Sequence, residues 1–295
     1  MRSVWIAVCV SALLALAIPA VVCGSSNQKE AQAAVEDEEE KPAPEGRQHA
    51  TATVEPGPGG KLTFTLHQGD SYVFTFKAWE MEITTEPQMA FWLEDTSGNN
   101  VATAFVTFKY ATQDWFVPAG MKREGVKRPS SLPVWTRKHK TMGIQPKELC
   151  AACHQRHKVK GGPTETEAPL DAVTGATPRW GFTREWAVPA KLDPGKYIVM
   201  AEINNAMDPN DTFWVPSEER PPDDNDPNYG GASGQPSVLW SATIEIGDNS
   251  SSVSLTKLGH GQPAGRDGSV TADLSGLTTA LEIVESIKVD YTPPE

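Results

Sequence analysis

Residues 61–76 have the sequence Lys-Leu-Thr-Phe-Thr-Leu-His-Gln-Gly-Asp-Ser-Tyr-Val-Phe-Thr-Phe, and this stretch decides the fold class. Apolar residues alternate with polar ones in both halves of the stretch, and the polar run His67–Asp70 separates the halves. An apolar period of two is typical of a strand that buries one face. The stretch therefore predicts two strands joined by a turn.

Further strands are predicted along the rest of the chain. The segments with a strand-like apolar pattern are 89–93, 102–108, 195–203, 237–246 and 281–291. Gly, Asn and Asp turns lie between them, and no segment shows a sustained helical period. This pattern predicts an all-β fold, an antiparallel β-sandwich of immunoglobulin or fibronectin type over residues 59–292. A long irregular insertion, residues 111–182, interrupts the predicted strands.

The N-terminus has the features of an export signal over residues 1–23. An arginine precedes an apolar run that ends at Cys23, and polar residues follow. Cys23 is a candidate for the lipidated cysteine of a lipoprotein, and the alternative is simple cleavage near Ala20 or Gly24. Residues 24–58 are acidic and rich in Pro and Gly, which predicts a disordered tether. The expected location is the periplasm or cell envelope, with a membrane contact if Cys23 is acylated.

Charge is distributed unevenly along the chain of 295 residues, whose net charge is -12. An acidic balance argues against a nucleic-acid partner. Residues 122–160 nevertheless carry eleven Lys or Arg against two Glu. One interpretation of this basic segment is a solvated loop, and the other is a surface that neutralises haem propionates or docks an acidic redox partner; the two are not exclusive.

The basic segment contains Leu-Cys-Ala-Ala-Cys-His-Gln-Arg-His at residues 149–157. Two thiols at this spacing can add to the vinyl groups of a haem, and the adjacent His154 is then placed to bind the iron. Cys150, Cys153 and His154 are therefore predicted to hold a covalent haem c. Two alternatives stay open, a Cys150–Cys153 disulfide and a zinc site that also uses His154 or His157.

The sequence offers several groups for the sixth iron position. His139 and Met142 are the preferred candidates, because His157 is too close to His154 to reach the opposite face of the ring. Met121 is a further candidate, and the position is open in a peroxidase or sensor. A methionine would raise the reduction potential relative to a second histidine.

A second motif, Asp-Ala-Val-Thr-Gly-Ala-Thr-Pro, occupies residues 171–178. It resembles the acceptor sequence of extracytoplasmic flavin transferases, and the resemblance implies FMN linked through phosphate to Thr177. With Leu132–Trp135 and residues 194–204, the motif is also similar to a family of uncharacterised periplasmic proteins. That resemblance covers roughly residues 60–250 and implies a structural turn at residues 174–177, with no activity.

Two other groups of polar residues receive sequence predictions. An acidic set between strands is predicted to be a solvated loop, with a calcium site as the alternative. Its members are Asp208, Asp211, Glu218, Glu219, Asp223, Asp224 and Asp226. His260 is expected to be solvent-facing in a glycine turn.

Together these features predict an exported monohaem c-type electron-transfer protein rather than an enzyme. No Ser-His-Asp set, paired carboxylate motif or phosphate loop stands out in the sequence. The alternative, from another functional class, is a non-enzymatic interaction module of the cell envelope. In this module the β-sandwich binds a partner and a Cys150–Cys153 disulfide only closes a loop.

Overall fold

The computed structural model of the chain describes residues 57–78, 81–107, 110, 130–141, 173–175, 177–217, 219–223, 225–265 and 267–295. The predicted export signal, nearly all of the predicted tether and the Cys-x-x-Cys-His segment lie outside these residues. No helix within the described ranges has the length and apolar character needed to cross a bilayer.

The described chain is built mainly from thirteen strands. Their bounds are β1 (Lys61–Gln68), β2 (Phe74–Ala78), β3 (Met81–Thr85), β4 (Gln88–Glu94), β5 (Asn100–Thr107), β6 (Val173–Gly175), β7 (Phe182–Ala187), β8 (Gly195–Asn204), β9 (Val238–Ile246), β10 (Ser251–Ser254), β11 (Thr256–Gly261), β12 (Val270–Thr271) and β13 (Val284–Thr292). One α-helix, α1, spans Pro133–Thr141, and 3-10 helices span Pro263–Gly265 and Thr279–Glu282.

The strands form two large sheets and a separate hairpin. The first sheet has four strands in the order β10-β13-β1-β7, and the second has seven in the order β12-β11-β9-β8-β4-β5-β6. Strands β2 and β3 form the hairpin. All pairs are antiparallel except β5 with β6. The predicted all-β sandwich is confirmed, while its immunoglobulin-like type stays a prediction.

The main hydrophobic core lies between the two large sheets. Strand β1 contributes its alternate residues Leu62, Phe64 and Leu66, all buried, as the period of two predicted. Four phenylalanines from both sheets meet there, with ring centroids 5.3–6.3 Å apart. They are Phe64, Phe91, Phe105 and Phe182. Burial of this apolar surface is the main force that holds the sheets together.

Strand β4 is buried on both faces of the seven-stranded sheet. Phe91 belongs to the core between the sheets, while its neighbour Trp92 belongs to a second cluster on the other face. That second cluster includes Val134 and Trp135 of α1, so the helix covers the outer face of the sheet. Burial on both sides explains why residues 89–93 are continuously apolar rather than alternating.

The predicted insertion contains regular elements of the domain. Helix α1 and the short strand β6 both fall within residues 111–182, and β6 extends the seven-stranded sheet by parallel pairing with β5. No segment shows a sustained helical period in the sequence, and the structure nevertheless forms a helix at Pro133–Thr141. This helix is short and starts with a proline. Proline is favourable at the first helical position because an N–H group there would have no acceptor within the helix, so its absence costs nothing.

Candidate functional site

The structure places one of the predicted iron ligands on a regular element. His139 lies in the last turn of α1, where the backbone is described and the side chain is not. The other predicted haem residues lie outside the described residues. They are Cys150, Cys153 and His154, with Met121, Met142 and His157 as the remaining candidates for the iron. The described part of the candidate site is therefore α1 and the groups that hold it.

A buried carboxylate holds the N-terminal end of α1. Glu202, on β8, has no exposed surface and accepts hydrogen bonds from the Val134 N–H to Oε1 at 3.1 Å and from the Trp135 N–H to Oε2 at 2.6 Å. The Ser237 hydroxyl donates a third hydrogen bond to Oε1 at 2.6 Å. The first N–H groups of a helix have no partner within the helix, and a carboxylate is the strongest acceptor that can satisfy them.

Burial raises the pKa of Glu202 from 4.5 to about 7. The hydrogen bonds from Ser237, Trp135 and Val134 act in the opposite direction, because they stabilise the ionised form. The loss of hydration on burial raises the pKa of Glu202 by more than these hydrogen bonds lower it. Glu202 therefore changes its charge near neutral pH although it has no contact with solvent.

Close packing around Glu202 explains why residue 261 in β11 is a glycine. A side-chain carbon at Gly261 would lie 2.5 Å from the Ser237 hydroxyl oxygen and 2.8 Å from Pro133 Cγ, and 3.2 Å from Glu202 Oε1. These distances are shorter than ordinary van der Waals contacts. The absence of a side chain at position 261 thus lets β11 approach the start of α1 and its carboxylate.

The first turn of α1 is also fixed by polar and aromatic contacts. The Trp135 indole N–H donates to the Thr103 hydroxyl at 3.2 Å, and the Tyr110 ring lies 5.8 Å from the Trp135 ring in an edge-to-face arrangement. The Tyr110 hydroxyl donates to the Leu132 carbonyl at 3.1 Å. Buried indole and phenol groups are therefore satisfied while their rings supply apolar contact area.

A partly buried ion pair holds the last turns of α1. Lys138 Nζ lies 3.1 Å from Glu94 Oε1 on β4 and also donates to the Gly98 carbonyl. The Glu94 side chain is only 6% exposed, and the Trp92 indole N–H donates to its Oε1 at 2.9 Å. Both ends of the helix are thus tied to the seven-stranded sheet, at Glu202 and at Glu94.

We expect Lys138→Met to lower the free energy of unfolding by about 1–3 kcal/mol, because it leaves the buried Glu94 carboxylate without its cation. The matched control is Lys77→Met. Lys77 and Glu82 are 4.0 Å apart with side chains 81% and 69% exposed, so this pair contributes little. Urea denaturation of both variants checks the prediction, and equal effects of the two substitutions would contradict it.

The threonine of the second motif is engaged by the fold. The Thr177 hydroxyl is half-buried and donates to the Pro87 carbonyl at 3.0 Å, and the next residue, Pro178, accepts a hydrogen bond from Tyr72 at 2.8 Å. Flavin attachment at Thr177 stays a prediction. In this conformation the hydroxyl would have to leave Pro87 before a transferase could use it.

The prediction for His260 is wrong, and the predicted solvated loop is wrong for one of its members, Asp208. His260 is buried on β11, where Nδ1 lies 2.7 Å from the Gly261 carbonyl oxygen and the ring contacts Phe213. Asp208 is also buried rather than solvated, and Thr279 and Gln235 donate hydrogen bonds to its carboxylate. The hydrogen bonds of Asp208 thus join three segments of the chain that are separated in sequence.

Of the other members of the acidic set, Asp211, Glu219 and Asp223 are exposed as predicted, Asp226 is partly exposed, and Glu218 and Asp224 lie outside the described residues. Among the described residues no group of three or more His, Cys, Asp or Glu is placed to hold a metal ion.

The residue that sequence reasoning missed is Glu202. Its signal is a single acidic side chain inside the run Ile-Val-Met-Ala-Glu-Ile at residues 198–203, where every neighbour is apolar. A charge at such a position is either paired or satisfied by hydrogen bonds. The run alone did not indicate which element would provide the donors.

Comparison with known proteins gives no match to a family model, to a curated protein or to a solved structure. The resemblance of residues 60–250 to a periplasmic family and the haem-attachment motif both stay predictions.

Proposed function

We propose that the protein is an exported monohaem c-type cytochrome-like electron-transfer protein. The single observation that carries the proposal is the Cys-x-x-Cys-His sequence at residues 150–154. In this proposal Cys150 and Cys153 form the thioether bonds and His154 is the proximal ligand. His139 and Met142 are the candidates for the sixth position.

The fixed position of α1 supports the proposal. The nine residues from Met142 to Cys150 connect the end of the helix to the first attachment cysteine. Such a segment spans at most ~30 Å when it is fully extended. A helix held at both ends therefore limits how far the attachment site can lie from the sandwich.

The charges of the segment also support an electron-transfer role. The surplus of nine positive charges in residues 122–160 contrasts with the net charge of -12 of the whole chain. A haem supplies a one-electron carrier when it is bound. The lysines and arginines would neutralise its propionates and attract a redox partner with an acidic docking face.

The predicted export signal fits this chemistry, because covalent haem attachment takes place outside the cytoplasm. The proposed location is the periplasm or cell envelope. If Cys23 carries a lipid, the acidic residues 24–58 would join the sandwich to the membrane anchor.

We expect the full chain, expressed together with a cytochrome c maturation system, to gain the mass of one haem. Its Soret band should survive acid–acetone extraction, and sharp α and β bands should appear after dithionite reduction. The double variant Cys150→Ala/Cys153→Ala should carry no haem, whereas the control His157→Ala should keep it. Intact-mass analysis and absorption spectra check both expectations.

Other results would support the alternatives and overturn the haem proposal. A colourless protein with both thiols blocked would indicate a Cys150–Cys153 disulfide in a cell-envelope interaction module. One equivalent of zinc in the purified protein would indicate the metal-site alternative. In-gel fluorescence under ultraviolet light that is lost in Thr177→Ala would indicate a covalent FMN carrier.

A further inference from the structure

We propose that the edge of the four-stranded sheet at β7 binds an extended strand of a partner protein, and that Arg184 pairs with an acidic side chain of that strand. The partner would add a fifth strand to this sheet through backbone hydrogen bonds, and the ion pair would make the addition specific. This binding is separate from haem attachment and uses none of the predicted haem residues.

Strand β7 is an edge strand. Among the described residues it is the last strand of its sheet and pairs with β1 alone. It faces β5 of the other sheet, because the rings of Phe182 and Phe105 lie 6.3 Å apart, and β6 lies beyond β5. No described strand of the four-stranded sheet faces β6. An edge strand has backbone N–H and C=O groups that an extended chain can bind, and a strand added beside β7 would face β6.

Arg184 points into the sandwich from this edge. In the register of β7 with β1, Arg184 lies opposite Phe64. Directly opposite residues of two antiparallel strands lie on the same face, and Phe64 belongs to the core between the sheets. The Arg184 guanidinium accordingly lies over the Phe105 ring, with its Cζ atom 4.1 Å from the ring centroid. The edge of an otherwise apolar core thus carries a positive charge.

This charge has no partner of opposite sign. Arg184 Nη1 is buried without a hydrogen-bond acceptor, and no described Asp or Glu forms an ion pair with Arg184. The acid next to it, Glu185, lies on the opposite face of the strand and pairs with Lys61 at 2.7 Å. Burial lowers the pKa of Arg184, as expected for a cation that loses water. A carboxylate, which can accept two parallel hydrogen bonds from a guanidinium, is the group that would satisfy it.

The same arginine opposes pairing with a second copy of this chain. Two β7 strands that paired antiparallel about this position would bring two Arg184 side chains together, and like charges directly opposite each other are destabilising. Inward-pointing charges on edge strands prevent edge-to-edge association in this way. An acidic strand replaces the repulsion by attraction. A single residue therefore excludes a second copy and selects an acidic partner.

An exposed tryptophan lies at the start of this edge. Trp180 is 41% exposed and lies two positions before the first residue of β7. The other exposed large apolar side chains of the described residues, Leu258 and Val270, belong to β11 and β12 of the other sheet. Tryptophan is enriched among the residues that contribute most to binding at interfaces. We expect the added strand to cover Trp180.

A fluorescein-labelled peptide, Lys-Val-Thr-Glu-Thr-Val-Lys with both ends blocked, tests the proposal on the full chain. Its sequence is the same in both directions, and its alternate residues Val, Glu and Val would lie beside Trp186, Arg184 and Phe182. We expect saturable binding by fluorescence anisotropy. The peptide with Gln in place of Glu should bind about tenfold more weakly, because the charge-assisted hydrogen bonds are lost.

Variants of the chain locate the binding site. Arg184→Met should weaken binding of the Glu peptide about tenfold, and Arg184→Glu should instead bind a peptide with Lys in place of Glu. The charge-matched control Lys196→Met removes an exposed cation from β8 and should leave binding unchanged. The urea midpoint of Arg184→Met should be equal to or above that of the wild-type chain, because an apolar side chain replaces an unpaired, partly buried charge. Loss of binding is then not loss of folding.

The contrary results are distinct. No binding of the Glu peptide at up to about 1 mM, or equal binding of the Glu and Gln peptides, would mean that Arg184 only protects the edge. Binding of acetate that is lost in Arg184→Met, without peptide binding, would indicate a site for a small carboxylate. A wild-type dimer that the peptide dissociates would show that a second copy occupies the edge. None of these measurements needs haem, so their outcome is independent of the proposed function.

Discussion

Phe91→Ala is expected to lower the free energy of unfolding by about 3–5 kcal/mol, the range for a large aromatic side chain removed from a packed core. Phe91 is fully buried, and its ring lies 5.3 Å from Phe64 of the opposite sheet and 6.2 Å from Phe182. The substitution leaves a cavity between rings that belong to different strands, and these rings cannot collapse into it together. Natural domains are stable by only about 5–15 kcal/mol, so the effect is a large fraction of the total.

Urea denaturation monitored by circular dichroism measures this effect, and Trp180→Ala is its matched control. Trp180 is a larger side chain, but it is 41% exposed and follows the second motif. Its removal should change the free energy of unfolding by less than about 1 kcal/mol. A loss below 1 kcal/mol for Phe91→Ala would mean that the two sheets are not packed through this cluster.

The strands could be predicted from the sequence because their signal is local. Alternation in β1 follows directly from the geometry of a strand, in which successive side chains point to opposite faces. The continuous apolar run in β4 was also identified as a strand. The burial of this run on both faces depends on α1, and no local pattern indicated that a helix would cover the sheet.

Helix α1 was not predicted because only a few of its residues are apolar and buried, too few to show a helical period. In α1 the residues in contact with the sheet are few, and Arg137 and Lys138 make the segment resemble the basic residues around it. Its stability comes from tertiary contacts with Glu202, Thr103 and Glu94 rather than from helical periodicity. His260 was misjudged for a related reason, since the glycines beside it indicate a turn although they serve close packing in β11.

For the candidate site, the haem-attachment motif was predicted from the sequence, and the residues that hold α1 were found from the structure. The motif at residues 150–154 predicts haem attachment from local spacing alone. Three of the residues that hold α1 lie more than 30 positions away in sequence, on β4, β5 and β8. Long-range contacts of this kind leave no local pattern, so the part played by Glu202 could be found only from the fold.

The second large effect concerns the pH dependence of stability, and its source is Glu202. The pKa of this group is about 7 in the folded protein against 4.5 as its ordinary value. Between these two pH values the folded state therefore binds more protons than the unfolded state, and the stability contributed by Glu202 decreases as the pH rises. The contribution is complete below pH 4.5 and is lost as the pH rises through about 7. The expected loss is about 3 kcal/mol.

Glu202→Gln should remove this dependence, because an amide does not titrate. The free energy of unfolding of the wild-type chain minus that of Glu202→Gln should fall by about 3 kcal/mol between pH 4.5 and pH 8. Taking the difference cancels the other titrating groups, including Asp208, whose pKa is also raised by burial. It likewise cancels Asp290, whose pKa burial acts to raise but whose hydrogen bonds with Lys288 and Ser252 lower it overall. Urea titrations of both proteins at pH 4.5, 6, 7 and 8 measure it. A difference that is constant or rises with pH would show that Glu202 is ionised throughout this range, and that the start of α1 stabilises its charge more than burial opposes it.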